Sequence, residues 1–330
     1  MCIRTLSTIG NGKTDQALRR SYLYVPTSSD RMLDKSLSTP SDVIIYDLED
    51  SVPPSAYDKE SARQRLSTFL SRTPEHKLPH PQRIAVRLND ITTPFFENDI
   101  SEVLKSPFVR TLVLPKIHSV RDLHHVSRAI RTSRAGISTP FPIRLVASIE
   151  SARSAWNLGE IASWTSEYDP DVGGKLGALL FAAEDYCADT SVLRSSSRLE
   201  LLYVRSQITI AAKAFGLDAI DMVRSVTTTD LDYLKDECED GRRLGFNGKQ
   251  AIHPTQVDII QSTFVPSEKE ILRAAKILHQ MEVAHSSQKG AVGLEMEGGG
   301  KEMIDAPMLK QAENIMRVAK AAGLQIPVID

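Results

Sequence analysis

At 330 residues, with 41% hydrophobic and 25% charged side chains, the chain has the composition of an ordinary globular protein. Its net charge of -2 gives no reason to expect nucleic acid or an anionic membrane as a partner. Its apolar runs of about eight residues fall short of the ~20 that a bilayer-spanning helix needs.

The first 20 residues carry Arg4, Lys13, Arg19 and Arg20 against a single acid, Asp15, with several Ser and Thr. Two readings fit residues 1–19: a mitochondrial presequence, which implies the matrix, or a disordered tail on a cytoplasmic protein. Three cysteines, Cys2, Cys187 and Cys238, match no zinc spacing, and so sparse a set points to a reducing compartment.

From there, apolar runs and helical patterns alternate. Residues 21–26 read as a first strand, and 30–37 as a helix with Arg31 and Lys35 on one face. A second strand, 43–50, ends in Asp47, Glu49 and Asp50. The helix 59–70 buries Ala62, Leu66, Phe69 and Leu70. The third strand, 83–89, ends in Arg87 and Asn89 and is followed by a helix over 97–104. The fourth, 111–117, ends in Lys116 and is followed by a helix over 120–132. Strands at 143–149 and 176–183 flank a helix over 151–164. Glu150 ends the first of these strands, and Glu184 and Asp185 end the second. A helix over 198–215, a strand at 219–223, a helix over 230–244 and a strand at 249–253 complete the series.

Eight β/α repeats in about 240 residues give the length of a TIM (β/α)8 barrel, expected over residues 20–265. A doubly wound sheet is the structural alternative. The lack of a G-x-G-x-x-G after the first strand counts against a dinucleotide site. Residues 266–330 read as a C-terminal helical extension, with helices over 267–284 and 308–322 joined through a Gly-rich, mobile loop at 286–301. Such an extension is a candidate lid or an arm that crosses to another subunit.

In a barrel, the strand C-termini converge on one mouth. Here they carry Tyr24, Asp47, Glu49, Asp50, Arg87, Asn89, Lys116, Glu150, Glu184, Asp185 and His253. Charges half-buried at a mouth need partners, which a metal ion and an acidic substrate would supply. Oxygen-only ligation by Glu150 and Asp185 suits Mg²⁺, which keeps several waters and takes one or two carboxylates plus substrate oxygens. A substrate chelated in this way offers two oxygens, as a 2-oxo or 2-hydroxy acid does. Arg87 is placed either to hold negative charge on that oxygen or in a structural ion pair with an acid of 47–50. His124 and His125, on the fourth helix, are expected to face solvent.

The ordered motifs R-x-Y-L-Y-V-P (20–26), Y-D-L-E-D-S-V (46–52), V-R-L-N (86–89), L-P-K (114–116) and I-E-S-A (149–152) are followed by A-E-D (183–185), A-K-A-F-G-L-x-A-I-D (212–221), G-F-x-G-K-Q-A-I-H-P-x-Q (245–256) and M-I-D-A-P (303–307). Over residues 19–322 the chain resembles the citrate lyase β-subunit-like proteins of the HpcH/HpaI aldolase superfamily. The resemblance implies a TIM barrel with a helical extension, assembled as a homotrimer or a multiple of one. It implies retro-Claisen cleavage of a 3-hydroxy-3-carboxyacyl-CoA, citramalyl-CoA giving acetyl-CoA and pyruvate. The alternatives are a malyl-CoA lyase or a malate or citramalate synthase taking glyoxylate, a citryl-CoA lyase subunit, and a scaffold that has lost its chemistry. Carried over by position, Glu150 and Asp185 would hold Mg²⁺ and Arg87 would bind the substrate oxygen. Glu49 would stand near the metal's waters. Asp305, the proton carrier, matches an acid lent by a neighbouring subunit. Tyr24, Arg31 and Lys35 would contact coenzyme A. Two departures stand out: Ala182 where members often have Gly, and a longer, Gly-richer loop before Met303.

Overall fold

The computed structural model describes residues 17–136, 141–223, 230–286, 292–295 and 301–329. The predicted N-terminal tail thus lies, but for its last residues, outside the described part. The chain divides into two compact units, Arg19–Phe264 and one that contains Val265–Asp330.

The first unit is a closed eight-stranded parallel barrel with β1 through β8 in sequential order. Its elements are β1 (Ser21–Pro26), α1 (Asp30–Ser36), β2 (Val43–Asp47), α2 (Ala56–Arg72), β3 (Ile84–Arg87), α3 (Phe96–Val103), β4 (Thr111–Leu114) and α4 (Val120–Ser133). They continue with β5 (Arg144–Ile149), α5 (Ala152–Trp156), α6 (Leu158–Ser163), α7 (Pro170–Gly173), β6 (Lys175–Phe181), α8 (Ala183–Thr190), α9 (Leu202–Ala214), β7 (Asp218–Asp221), α10 (Leu231–Leu244), β8 (Gly248–Ala251) and α11 (Val257–Thr263). This is the predicted TIM barrel, and the doubly wound alternative is set aside because β8 pairs back onto β1. At that seam the Lys249 N–H donates to Arg20 O at 2.8 Å. Gly248 has to be glycine there, since a Cβ would stand 2.3 Å from the same carbonyl oxygen.

Strand side chains alternate between faces. Tyr22, Val43, Ile45, Ala85, Val113, Val146, Ala178, Leu180 and Ile220 fill the barrel interior. Leu23, Val25, Ile44, Tyr46, Val86, Leu112 and Leu145 face the surrounding helices. The same parity carries the inward face on to polar residues at the C-terminal ends: Tyr24 after Tyr22, Asp47 after Ile45, Arg87 after Ala85, and Ser148 then Glu150 after Val146.

Local differences from the predicted elements have identifiable causes. The helix expected over 151–164 is two helices, because Asn157 leaves helical geometry (φ -91, ψ 14) and its Nδ2 donates to His118 O at 2.9 Å. The helix expected from Arg198 starts at Leu202 after one 3₁₀ turn, since Arg198 has left-handed backbone (φ 59). Glu184 and Asp185 stand not on a strand end but in the first turn of α8. His253 is not aimed at the mouth: its ring caps the turn after β8, accepting from Thr255 N at 3.3 Å. His124 is half-buried, Nδ1 taking Trp164 Nε1–H at 3.3 Å, whereas His125 is exposed as expected.

The second unit pairs α12 (Glu268–Ser286) with α13 (Ala306–Ala321). Ile271, Ala274, Ile277 and Met281 pack with Ala312, Met316 and Ala319. Part of the predicted loop is structured: β9 (Val292–Glu295) pairs antiparallel with β10 (Lys301–Ile304). The expectation of mobility falls on residues 287–291 and 296–300, outside the described residues.

Candidate active site

At the C-terminal mouth of the barrel is a cavity of about 430 Å³, lined by Tyr24, Asp47, Asp50, Arg87, Ser148, Glu150, Ala182, Glu184, Asp185, Val223 and Gln250 among others. Seven sites of the strand-end list thus meet there. Glu49 and Lys116 adjoin it through their bonds to lining residues. Asn89 turns away, its Nδ2 donating to Asp99 Oδ2 at 2.6 Å.

Arg87 is the centre of the charged layer. Its Nε and Nη2 each donate to Asp47 at 2.7 Å, a bidentate fork. Nη1 reaches Glu49 Oε2 and Asp50 Oδ2, both at 3.0 Å. The guanidinium stacks 4.8 Å from the centroid of the Tyr24 ring. The two sequence readings of Arg87 therefore coincide: it makes the ion pair with the acids of 47–50 and also lines the cavity. Burial works to raise the Asp47 carboxyl, but the Arg87 charge and hydrogen bonds, with the Glu49 N–H and the Ser51 side chain, bring it below the ordinary aspartate range.

Glu49 behaves oppositely. Burial, with the neighbouring Asp50 and Glu150 charges, pushes its carboxyl up to about 7 against the pull of Arg87 and Lys116. Lys59 from α2 anchors this segment from behind, donating Nζ–H bonds to Leu48 O at 3.0 Å and Glu49 O at 2.7 Å. A consequence is testable in metal-free protein. Between the ordinary 4.5 and about 7 the folded state holds a proton on Glu49 that the unfolded chain releases. Stability contributed by this group therefore falls as pH rises through that window. Urea midpoints in EDTA at pH 5 and pH 8 should differ less for Glu49→Gln than for the parent protein; equal differences would remove Glu49 as the source.

Glu150 is held on both oxygens. Ser148 Oγ donates to Oε2 at 2.8 Å, and the Lys116 backbone N–H donates to Oε1. Lys116 has left-handed backbone (φ 51), strain that a non-glycine residue tolerates here where its amide meets a carboxylate. Its Nζ lies 3.3 Å from Glu49 Oε1. Burial raises the Glu150 carboxyl, and the Asp185 charge raises it further. Asp185 itself is exposed at the first turn of α8. Two oxygen donors lining one cavity, one of them buried and pushed up by the other's negative charge, make a site that gains from a cation. Among the described residues no group of three or more His, Cys, Asp or Glu could hold a metal, so a cation here would keep most of its shell as water or substrate, the habit of Mg²⁺.

Tyr24 turns its hydroxyl to Gln250 Oε1 at 3.0 Å, and Gln250 Nε2 donates to Phe181 O at 2.9 Å and Asp221 O at 3.1 Å. Arg31 and Lys35 lie exposed on α1, outside the cavity lining. Asp305 belongs to the second unit, as N-cap of α13, with Oδ1 accepting the Met308 N–H at 3.1 Å. Sequence reasoning passed over Ser148, Gln250 and Lys59. Strand parity was the available signal for the first two: Ser148 is two residues before Glu150, and Gln250 shares the inward face with Gly248. Nothing local marks Lys59.

The sequence model of the family described as HpcH/HpaI aldolase/citrate lyase matches residues 20–254. The chain belongs to this family. A model described as C–C bond lyase of the TIM-barrel fold matches residues 188–324. Mitochondrial citramalyl-CoA lyase of Homo sapiens is 32% identical over 302 residues, covering 91% of this chain and 85% of that protein. Citrate lyase subunit beta of Leuconostoc mesenteroides subsp. cremoris is 30% identical over 311 residues, covering 94% and 96%. Among solved structures, protein CitE of Mycobacterium tuberculosis in complex with magnesium, acetoacetate and coenzyme A superposes with a TM-score of 0.68 at 27% identity, covering 93% of this chain and 99% of that one. As a member of the HpcH/HpaI aldolase/citrate lyase family, the protein is a carbon–carbon lyase acting on CoA substrates.

Proposed function

We propose that the protein is a Mg²⁺-dependent lyase that cleaves citramalyl-CoA to acetyl-CoA and pyruvate. The observation that carries this reading is the meeting of Glu150, Asp185 and Arg87 on one cavity at the barrel mouth. Glu150 and Asp185 would hold the metal, whose charge, when bound, polarises the substrate's hydroxyl and carboxylate oxygens. The CitE structures in complex with magnesium support that choice of ion, and the one that also holds pyruvate supports a 2-oxo acid.

The chain's own groups do the rest. Arg87 stabilises the alkoxide left when the hydroxyl loses its proton, and that charge passes to the acetyl fragment as the carbon–carbon bond breaks. Glu49, with its carboxyl near 7, takes the hydroxyl proton through a water. The electron pair of the broken bond becomes the enolate of acetyl-CoA, and Asp305 returns a proton to it. Asp305 would be lent by a neighbouring subunit of a homotrimer. Tyr24, Arg31 and Lys35 would face coenzyme A. The mitochondrial names of the human, rat and mouse relatives, with the basic start of this chain, support the matrix as its location.

The citrate lyase beta subunits, 30% identical, keep citryl-CoA as a second reading. A coupled assay for pyruvate, glyoxylate or oxaloacetate, using citramalyl-, malyl- and citryl-CoA, decides between them. Citramalyl-CoA is expected to have the highest kcat/KM, with cleavage abolished by EDTA and restored by Mg²⁺. Preference for another thioester would overturn the substrate, and turnover indifferent to EDTA would overturn the metal.

A further inference from the structure

Between α8 and α9 runs a segment, 191–198, closed at both ends by non-glycine residues in left-handed backbone, Ser191 (φ 58) and Arg198 (φ 59). Such conformations persist only where surroundings fix them. Two arginines do so. Arg198 Nη2 reaches Asp236 Oδ2 on α10 at 2.6 Å. Arg194 makes the wider set of contacts: Nη1 donates to Glu184 on α8, while Nη2 reaches Val223 O at 3.3 Å, Met222 Sδ at 3.4 Å and Glu237 Oε1 at 3.4 Å.

These partners have one thing in common with the site. Glu184 and Val223 line the cavity, and Glu184 is the immediate neighbour of Asp185. The opposite anchor is buried. Glu237 is 1% exposed and pairs at 3.5 Å with Lys249 Nζ, itself 0% exposed, behind β8. One guanidinium thus ties the exposed first turn of α8 to a buried ion pair, and only a planar fork with several donors can serve all these acceptors at once.

We propose that Arg194 is a positioning residue: through Glu184 it fixes the first turn of α8 and so sets where Asp185 stands relative to Glu150. The proposal rests on the reading of Glu150 and Asp185 as the cation pair. Its sign separates it from simple electrostatics. Removing a positive charge near a cation site, with nothing else changed, should tighten cation binding; removing a positioning residue should weaken it.

The test is calorimetric titration of Mg²⁺ into the full-length protein, its Arg194→Gln and Arg194→Lys variants, with thermal melts in EDTA alongside. Both variants are expected to bind Mg²⁺ about 10-fold or more weakly, the usual effect of losing a group that orients a metal ligand. Arg194→Lys is included because it keeps a cation beside Glu237 but cannot fork; should Arg194→Gln fail to fold, it carries the test alone. In a Glu184→Gln background, the Arg194 substitution should add little further loss. Unchanged or tighter Mg²⁺ binding in the variants, with or without a lowered melting temperature, would overturn the proposal, as would an undiminished second loss in the Glu184→Gln background. A parent protein that binds no Mg²⁺ would instead overturn the metal-site reading, and this proposal with it.

Discussion

Replacing Asp305 with asparagine is expected to lower kcat by about 10²- to 10⁴-fold, the range for loss of a positioned proton carrier, while leaving folding and Mg²⁺ binding intact. The choice of substitution follows from the structure. Asp305 is the N-cap of α13, and its side chain satisfies the Met308 N–H. Alanine would remove the cap as well as the acid, at about 1 kcal/mol to the helix. Asparagine caps as well as aspartate but has no proton to give. Single-turnover cleavage of citramalyl-CoA, melting temperature and Mg²⁺ affinity, measured together, separate the two roles. Near-parental turnover in Asp305→Asn would remove the residue from the chemistry. Equal turnover loss in Asp305→Asn and Asp305→Ala, with a lower melting temperature only in the alanine variant, is the expected pattern.

The barrel was legible because its strands are short apolar runs with helical patterns between them, a signal set by burial on both faces of a parallel sheet. The site was legible to the extent that it follows strand parity. Once Ile45 and Val146 face inward, Asp47 and Glu150 must too. Three acids in one stretch, Asp47, Glu49 and Asp50, show where parity stops helping. All three meet Arg87, yet the Arg87 charge and its fork of hydrogen bonds bring Asp47 low, while burial and the Asp50 and Glu150 charges leave Glu49 near 7. Asp185 lines the cavity from the first turn of α8 rather than from the strand end where it was expected, since the two occupy the same mouth. Lys59 and Arg194 gave no sequence signal. Each acts on partners brought to it by the closed barrel, and a lone basic residue in a polar stretch reads as a solvated one.

Arg87→Met is expected to be costly twice, and the two costs can be pulled apart. The Asp47 carboxylate is 1% exposed and takes both its short side-chain hydrogen bonds from Arg87. Deleting the guanidinium strands a buried charge, a change that typically costs about 3–5 kcal/mol. The sign with pH follows. In the parent protein the Asp47 carboxyl is held low, so its contribution to stability is present above the ordinary aspartate range and is lost as pH falls through its folded value. The gap between parent and Arg87→Met, read from urea midpoints, should therefore narrow on acidification. Adding Asp47→Asn to Arg87→Met removes the stranded charge and should recover much of the stability. It should not recover turnover, because the group proposed to hold charge on the substrate oxygen is still missing, an absence worth about 10²- to 10³-fold in kcat. A double variant that is both stable and fully active would show that Arg87 serves the fold alone. One that is stable and slow, with its Mg²⁺ affinity unchanged, would place the loss at the alkoxide formed before the carbon–carbon bond breaks.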